Sequence, residues 1–131
     1  MAGEGLNIMA RCEDCEKMFE VNNHNIKNRE FEVNGRSIFL TYYDCPSCGR
    51  RHFVQIDDVK SKQMLVGMSV KFAKLAAMKN KGKIIPKKQS ERFKKTRQDL
   101  SDYRMTLMKE FTGKLVHDSE AGTDFELRFS V

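Results

Sequence analysis

The spacing of apolar residues changes along the chain and predicts more than one kind of segment. In the first 57 residues the apolar residues come in short runs bounded by Asn, Asp and Gly, which is typical of strands joined by turns. Asn34 and Gly35 separate two such runs, residues 31–33 and 37–43, and Asn-Gly is the dipeptide most typical of a two-residue hairpin turn. This part of the chain is therefore predicted to contain a β-hairpin.

Further strands are predicted on either side of this hairpin. Residues 5–11 and 17–21 flank a first pair of cysteines, and residues 52–56 return as a third strand after a second pair. A polar loop is expected between the first strands and the hairpin, because Asn readily adopts turn conformations. Its members are Asn22, Asn23, His24, Asn25 and Asn28.

After Asp57 and Asp58, either of which suits a helix N-cap, the apolar spacing becomes helical. A first helix, ending near residues 79–82, has an apolar face of Leu65, Met68, Phe72, Leu75 and Ala76. A second helix begins near Pro86 and has a stripe of Phe93, Leu100, Leu107 and Phe111, with Tyr103 and Leu115 beside it. We expect an antiparallel pair of helices. The seven-residue spacing within the stripe leaves a short coiled coil with another chain as an alternative.

The last residues predict a final strand. Apolar side chains at positions 125, 127, 129 and 131 alternate with polar ones, which is the period of a strand with one buried face. Gly113 and residues 118–123 are expected to supply the turn before it. The strand either returns to the sheet of the amino-terminal part or pairs with the open sheet edge of a partner.

Four cysteines in two pairs are the candidate metal ligands: Cys12, Cys15, Cys45 and Cys48. Two residues between the members of a pair let a tight turn bring both sulfurs to one ion, and two such turns complete a tetrahedral site. Pro46 presets the backbone angle φ in the second turn, and Gly49 follows it where a positive φ is often needed. Residues 1–11 show no secretory signal, so metal binding is favoured over disulfides or free thiols.

Zinc in a structural role is the preferred interpretation. Residues 45–49 are also similar to half of a rubredoxin, which leaves an iron electron carrier as an alternative, but the first pair is followed by Glu16 and Lys17 and not by glycine. Four thiolates fill the coordination sphere of zinc and leave no position for a catalytic water. Zinc is expected to contribute on the order of 10–16 kcal/mol to folding of a module that is otherwise too short to be stable.

The residues around both pairs resemble a zinc ribbon. Phe19-Glu20-Val21 follows the first pair, Thr41-Tyr42-Tyr43-Asp44 precedes the second, and Arg50-Arg51-His52-Phe53 follows it. Over residues 10–56 the chain is similar to short zinc-ribbon proteins of uncharacterised role from bacteriophage and prophage genomes of Gram-positive bacteria. This resemblance implies a fold and a metal, and it implies no activity.

The expected architecture is an α+β fold in three parts. A zinc ribbon with an extra β-hairpin occupies residues 1–57, because the twenty-nine residues between the cysteine pairs exceed a minimal ribbon. A basic, antiparallel two-helix hairpin follows at residues 58–116. Residues 117–131 form a turn and a C-terminal β-strand.

The net charge of +6 is unevenly distributed. Residues 60–114 contain sixteen basic and four acidic residues, whereas acidic residues are in excess on both sides of this segment. Clustered Lys and Arg neutralise phosphates and release their counterions, so a nucleic acid is the leading partner. An acidic protein surface as partner and a merely solvated helical surface remain alternatives.

Nine basic residues near the turn between the helices are the candidate nucleic-acid-binding residues: Lys79, Lys81, Lys83, Lys87, Lys88, Arg92, Lys94, Lys95 and Arg97. Only Glu91 opposes them within that stretch, and a Lys-rich set favours contact with phosphates that is independent of base sequence. Arg50 and Arg51, directly after the second cysteine pair, are further candidates for contact with phosphate or an acidic partner.

Motifs of known enzyme classes are not found in this sequence. It has no glycine-rich phosphate loop, nucleophile motif or His-Glu metal helix, and no apolar run long enough to cross a bilayer. We therefore expect a non-enzymatic accessory protein that binds nucleic acid, of phage or mobile-element origin, in the cytoplasm of a bacterial host or in a virion. The alternative is a structural or adaptor protein that binds a protein partner through the ribbon face and the final strand. The oligomeric state is not predicted.

Overall fold

The computed structural model describes residues 8–22 and 24–129, which form two compact units. One unit contains the described residues up to Ile56 and those from Phe111 onward, and the other is Asp57–Glu110. The predicted α+β class is confirmed. The elements in chain order are β1 (Ile8–Arg11), β2 (Met18–Val21), β3 (Ile26–Val33), β4 (Arg36–Asp44), β5 (Arg51–Asp58), α1 (Val59–Asn80), α2 (Lys87–Phe111), β6 (Leu115–Asp118) and β7 (Thr123–Glu126).

The predicted hairpin is confirmed as the β3–β4 pair. Asn34 and Gly35 both have positive φ, 51° and 79°, as a two-residue turn of this kind requires, and Val33 pairs with Arg36 across it. β5 completes a three-stranded sheet in the order β3-β4-β5. β1 and β2 form a separate antiparallel pair, from Ile8 opposite Val21 to Arg11 opposite Met18. Residues 5–7 of the predicted first strand lie outside the described residues.

The predicted polar loop is shorter than expected. β3 begins at Ile26, so Asn28 lies within a strand and pairs with Thr41. Its side-chain amide donates a hydrogen bond of 2.8 Å to the Thr41 hydroxyl. This cross-strand bond offsets the low strand propensity of Asn and explains why a prediction from local composition was wrong here. Asn23 lies outside the described residues.

The carboxyl-terminal segment folds as a hairpin and not as a single strand. β6 pairs with β7 through the predicted turn, with Asp118 opposite Thr123. Regular strand pairing ends at Glu126, because the Leu127 N–H donates to Lys114 in the neighbouring turn. The predicted alternation nevertheless holds at the described positions, since Leu127 is buried while Arg128 is exposed. Ser130 and Val131 lie outside the described residues.

This segment packs against the three-stranded sheet of its own chain. The Phe125 ring stacks on the Phe53 ring at a centroid distance of 5.2 Å and meets the Phe31 ring edge-on at 5.6 Å. Phe129 forms a parallel bridge with Phe53 of β5. The core beneath includes Ile38 and Leu40, both fully buried. The tail thus contributes to the core of the first unit.

The second unit is the predicted antiparallel pair of helices. Asp58 caps α1, because its carboxylate accepts the Ser61 N–H and the Ser61 hydroxyl accepts the Asp58 N–H, both at 2.8 Å. Tyr103 and Arg104, near the end of α2, donate hydrogen bonds to Asp58 and Asp57 at the start of α1. Farther along, the rings of Phe72 and Phe93 lie 5.9 Å apart. The start of one helix therefore lies beside the end of the other.

Two details of the predicted apolar stripe on α2 need correction. Leu115 is not part of it, because Gly113 adopts a positive φ after the helix and Leu115 lies in β6, where it is 68% exposed. Leu100 and Leu107 are buried within this single chain, so the alternative of a coiled coil along that seam is not supported. Among the residues that the structure describes, no helix is both long and apolar enough to cross a bilayer.

Candidate metal centre

The four cysteines predicted as ligands lie together, with all four Sγ atoms within 4.8 Å of one another. The Sγ atoms of Cys12 and Cys48 are 3.5 Å apart, and those of Cys15 and Cys45 are 3.6 Å apart. A tetrahedral ion with metal–sulfur bonds of about 2.3 Å requires sulfurs about 3.8 Å apart. None of the four is in a disulfide. The arrangement therefore fits one metal ion.

Each cysteine pair lies in a turn of the same kind. In the first, the carbonyl of Cys12 accepts the N–H of Glu16, and in the second the carbonyl of Cys45 accepts the N–H of Gly49, both at 2.8 Å. The residue after the second cysteine has a positive φ in both turns, 62° at Glu16 and 77° at Gly49. The sequence indicated this conformation only where Gly stands. Glu16 adopts it despite the steric cost of its Cβ.

Replacing Glu16 by Gly is therefore expected to stabilise the metal-loaded protein by about 0.5–1 kcal/mol in chemical denaturation. The side chain removed is exposed, and its ion pair with Arg11, at 3.4 Å, contributes little. The control is Glu13→Gly in the same turn, where φ is not positive and added chain flexibility should destabilise. Equal destabilisation by both substitutions would contradict the interpretation of backbone strain.

The ligands differ in exposure and in proton affinity. Cys12 and Cys45 are buried and Cys48 is exposed. The pKa of Cys45 is lowered to about 6, because the backbone N–H groups of Cys48 and Ser47 donate to its sulfur. The N–H of Arg50 also lowers the pKa of Cys48, but its hydrogen bond with Cys12 and the partial desolvation of its sulfur outweigh this and raise the pKa to about 12. Cys45 thus offers a thiolate near neutral pH, and metal binding must displace a proton from Cys48.

A small buried cluster joins the β1–β2 pair to the site. Its buried members are Cys12, Cys45, Phe19 and Val21. The Phe19 ring meets the Tyr43 ring edge-on at 5.6 Å, His52 stacks on Tyr43 at 5.2 Å, and the Phe19 and His52 rings lie 6.3 Å apart. Because two of the four buried residues are themselves candidate ligands, the candidate metal site and the core of this part of the fold are one structure.

Arg50 and Arg51, both predicted as contacts for phosphate or an acidic partner, lie in ion pairs within the chain. Arg50 contacts Asp14, in the first cysteine turn. Arg51 contacts Asp44 at 3.1 Å and Asp118 at 3.5 Å, and its guanidinium lies 4.2 Å from the centre of the Tyr42 ring. A phosphate at either arginine would have to compete with these carboxylates.

The nine basic residues predicted near the helix turn lie at one end of the second unit, because α1 ends and α2 begins there. All nine are exposed. Two of them form ion pairs along α2, Lys87 with Glu91 at 3.9 Å and Lys95 with Asp99 at 3.6 Å. Exposed pairs of this kind are weak and leave most of the positive charge available. We call these nine residues the basic end.

Comparison with known proteins gave no match: no protein-family model, no curated protein and no solved structure is similar to this chain. The function is therefore inferred from the site and from the distribution of charge.

Proposed function

We propose that this protein is a non-enzymatic nucleic-acid-binding protein, with a first unit stabilised by zinc and a second unit that contacts phosphates. The observation that carries the proposal is the collection of nine exposed basic side chains at one end of a helical pair. The unit Asp57–Glu110 contains fifteen basic and six acidic residues, so the excess belongs to the unit as a whole. Clustered exposed cations of this density bind a polyanion through counterion release.

Zinc is proposed as the metal because four thiolates at tetrahedral spacing are typical of structural zinc sites. In a zinc ribbon of this kind the metal organises the fold and does not react, since it has no open position. The ribbon assignment, like a phage or mobile-element origin and a location in the host cytoplasm or the virion, stays a prediction that rests on resemblance of sequence.

Removing charge from the basic end tests the nucleic-acid proposal. The test variant carries Gln at four of its lysines: Lys87, Lys88, Lys94 and Lys95. We expect its affinity for a short DNA duplex at low salt to fall about 100-fold. Each lysine that no longer contacts a phosphate also removes the counterion release that favours binding. The slope of log affinity against log salt should decrease by about 2–4. Fluorescence anisotropy at several salt concentrations measures both quantities.

A control variant removes the same charge elsewhere on the surface, by Gln at Lys17, Lys27, Lys60 and Lys109. It should weaken binding by less than about tenfold, because salt largely screens charges that lie far from the bound nucleic acid. If the unmodified protein does not bind DNA or RNA at low salt, or if both variants bind equally weakly, the basic end is not a nucleic-acid site.

The adaptor alternative has less support at one of its two predicted surfaces. Phe125 and Phe129 already contact Phe53 within the chain, and Leu127 is fully buried. A partner that paired with this segment would first have to displace it from its own sheet. Binding by strand addition at the carboxyl terminus is therefore the less favoured proposal.

A further inference from the structure

An open groove of about 360 Å³ lies between the last turns of α1 and the first turns of α2. Its floor is apolar and consists of Leu75, Met78 and Phe93, all of them half-buried. Its rim carries Lys71, Lys74, Arg92 and Gln89. Methionine and the long cationic side chains can adapt their shape to an occupant, which is typical of surfaces that bind helices.

The rim of this groove is positively charged without compensation. No carboxylate is among its lining residues, and α1 as a whole contains five lysines and no acidic residue. Lys71 donates a hydrogen bond of 3.0 Å to the hydroxyl of Thr96, which is a neutral partner and leaves its charge unbalanced. An occupant that carries carboxylates beside apolar groups would complement both parts of the groove.

Other apolar side chains of α1 are exposed outside the groove lining. Phe72, whose ring touches that of Phe93, is 60% exposed, and Val66 and Val70 are 64% and 50% exposed. Among the residues of α1, all of which the structure describes, only Ser61 is buried. Of the exposed apolar side chains, Phe72 extends the apolar surface beside the groove, because its ring contacts Phe93, which lines the groove.

We propose that this groove binds an acidic amphipathic helix of a partner protein. Apolar residues at i, i+3, i+4 and i+7 of that helix would lie on Leu75, Met78 and Phe93, and Asp or Glu beside them would pair with the cationic rim. A second copy of this chain is a poor occupant, because its own α1 would bring five more lysines to the contact. The inference does not depend on nucleic-acid binding, since a phosphate backbone has no apolar side chains to fill the floor.

The test uses the full-length, metal-loaded protein and two synthetic helical peptides of about 18 residues, which span about 27 Å. Both have Leu at the four contact positions, and one has Glu where the other has Lys beside them. The Glu peptide should bind with a Kd of about 10–100 μM by fluorescence anisotropy, and the Lys peptide at least tenfold more weakly. Lys74→Glu should weaken the Glu peptide about tenfold and strengthen the Lys peptide. Lys109→Glu, with the same change of net charge outside the groove, should alter neither.

Met78→Asp tests the apolar floor and should abolish binding of the Glu peptide, with helix content checked by circular dichroism. If that variant unfolds, the comparison of Lys74→Glu with Lys109→Glu still tests the proposal, because Lys74 is exposed. Equal affinity for both peptides, no binding of the Glu peptide at 20-fold the expected Kd, or equal effects of Lys74→Glu and Lys109→Glu would each overturn the proposal. Self-association of the protein that Met78→Asp removes would overturn it in favour of a second copy. Binding of decanoate or of phosphatidylglycerol vesicles at Met78, without binding of the Glu peptide, would overturn it in favour of a lipid.

Discussion

Chelation of the metal is expected to release the β1–β2 pair while the β3-β4-β5 sheet stays folded. In the described part of the chain, β1 and β2 pair with each other and not with the larger sheet. The cluster that holds them has four buried residues, two of which are the candidate ligands Cys12 and Cys45. The larger sheet has a core of its own, including Ile38 and Leu40. On the order of 10 kcal/mol of metal-binding free energy would therefore act mainly on residues 8–22.

Hydrogen exchange, followed residue by residue, measures this effect. In chelated protein and in Cys45→Ser, protection of the β1–β2 amides should fall at least about 100-fold, and that of β3 and β4 less than about tenfold. Ser47→Ala is the matched control, because Ser47 lies in the same turn and only its backbone N–H interacts with the Cys45 sulfur. Retained protection of residues 8–22 without metal would contradict the prediction, as would unfolding of both sheets together.

The metal content and the visible absorption of the purified protein identify the metal. We expect one zinc per chain and no visible absorption band, because zinc has a filled d shell. Iron together with such a band would replace zinc in the proposal and revive the electron-carrier alternative.

The features that could be predicted from sequence are those whose causes lie in neighbouring residues. Asn34 and Gly35 form a turn because of their own backbone preferences, and the spacing within each cysteine pair fixes how its sulfurs meet. The cap at Asp58 needs only Ser61, three residues away. These predictions are confirmed because tertiary contacts do not alter them.

The features that were missed depend on the opposite strand or on packing. Asn28 lies in a strand because Thr41 is opposite, and β6 forms because Leu115–Asp118 pairs with Thr123–Glu126. The positive φ of Glu16 follows from closing a turn around the metal site, for which its residue type gives no signal. The groove beside Met78 exists only once both helices are in place, although the absence of acidic residues from α1 was readable from the sequence.

Asp118 makes a long-range contact that no local sequence pattern indicates. Its side chain is 5% exposed and accepts two hydrogen bonds from the Arg29 guanidinium, at 3.0 and 3.2 Å. It also accepts the backbone N–H groups of Glu120 and Ala121, which fixes the turn between β6 and β7. Arg29 and Asp118 are 89 positions apart. One carboxylate therefore joins β3 to the carboxyl-terminal hairpin.

This contact makes the stability of the first unit dependent on pH. Hydrogen bonds from Arg29 hold the pKa of Asp118 well below its usual range, and they outweigh the opposing effect of burial. A carboxylate with a lower pKa in the folded than in the unfolded protein stabilises the fold at any pH above its unfolded value of about 3.9. That contribution is lost as the pH falls below this value toward the folded pKa.

Asp118→Asn is accordingly expected to lower the midpoint of thermal unfolding by several degrees at pH 7, because it leaves the partly buried Arg29 without its main counter-charge. Glu120, also 3.3 Å from Arg29, is exposed and compensates little. The difference in midpoint between unmodified protein and variant should be constant above pH 5 and should shrink below pH about 4. Acid also releases the metal, but from both proteins, so their difference isolates Asp118.

Asp124→Asn serves as the matched control, since Asp124 lies in the same hairpin but is 59% exposed and contacts only the exposed ring of His117 among the interactions described. It should change the midpoint by no more than a degree or two at any pH, because an exposed pair contributes little. A difference between Asp118→Asn and unmodified protein that persists unchanged to pH 2 would show that the substitution acts through the shape of the turn. In that case the charge facing Arg29 is not what holds the carboxyl-terminal hairpin on the sheet.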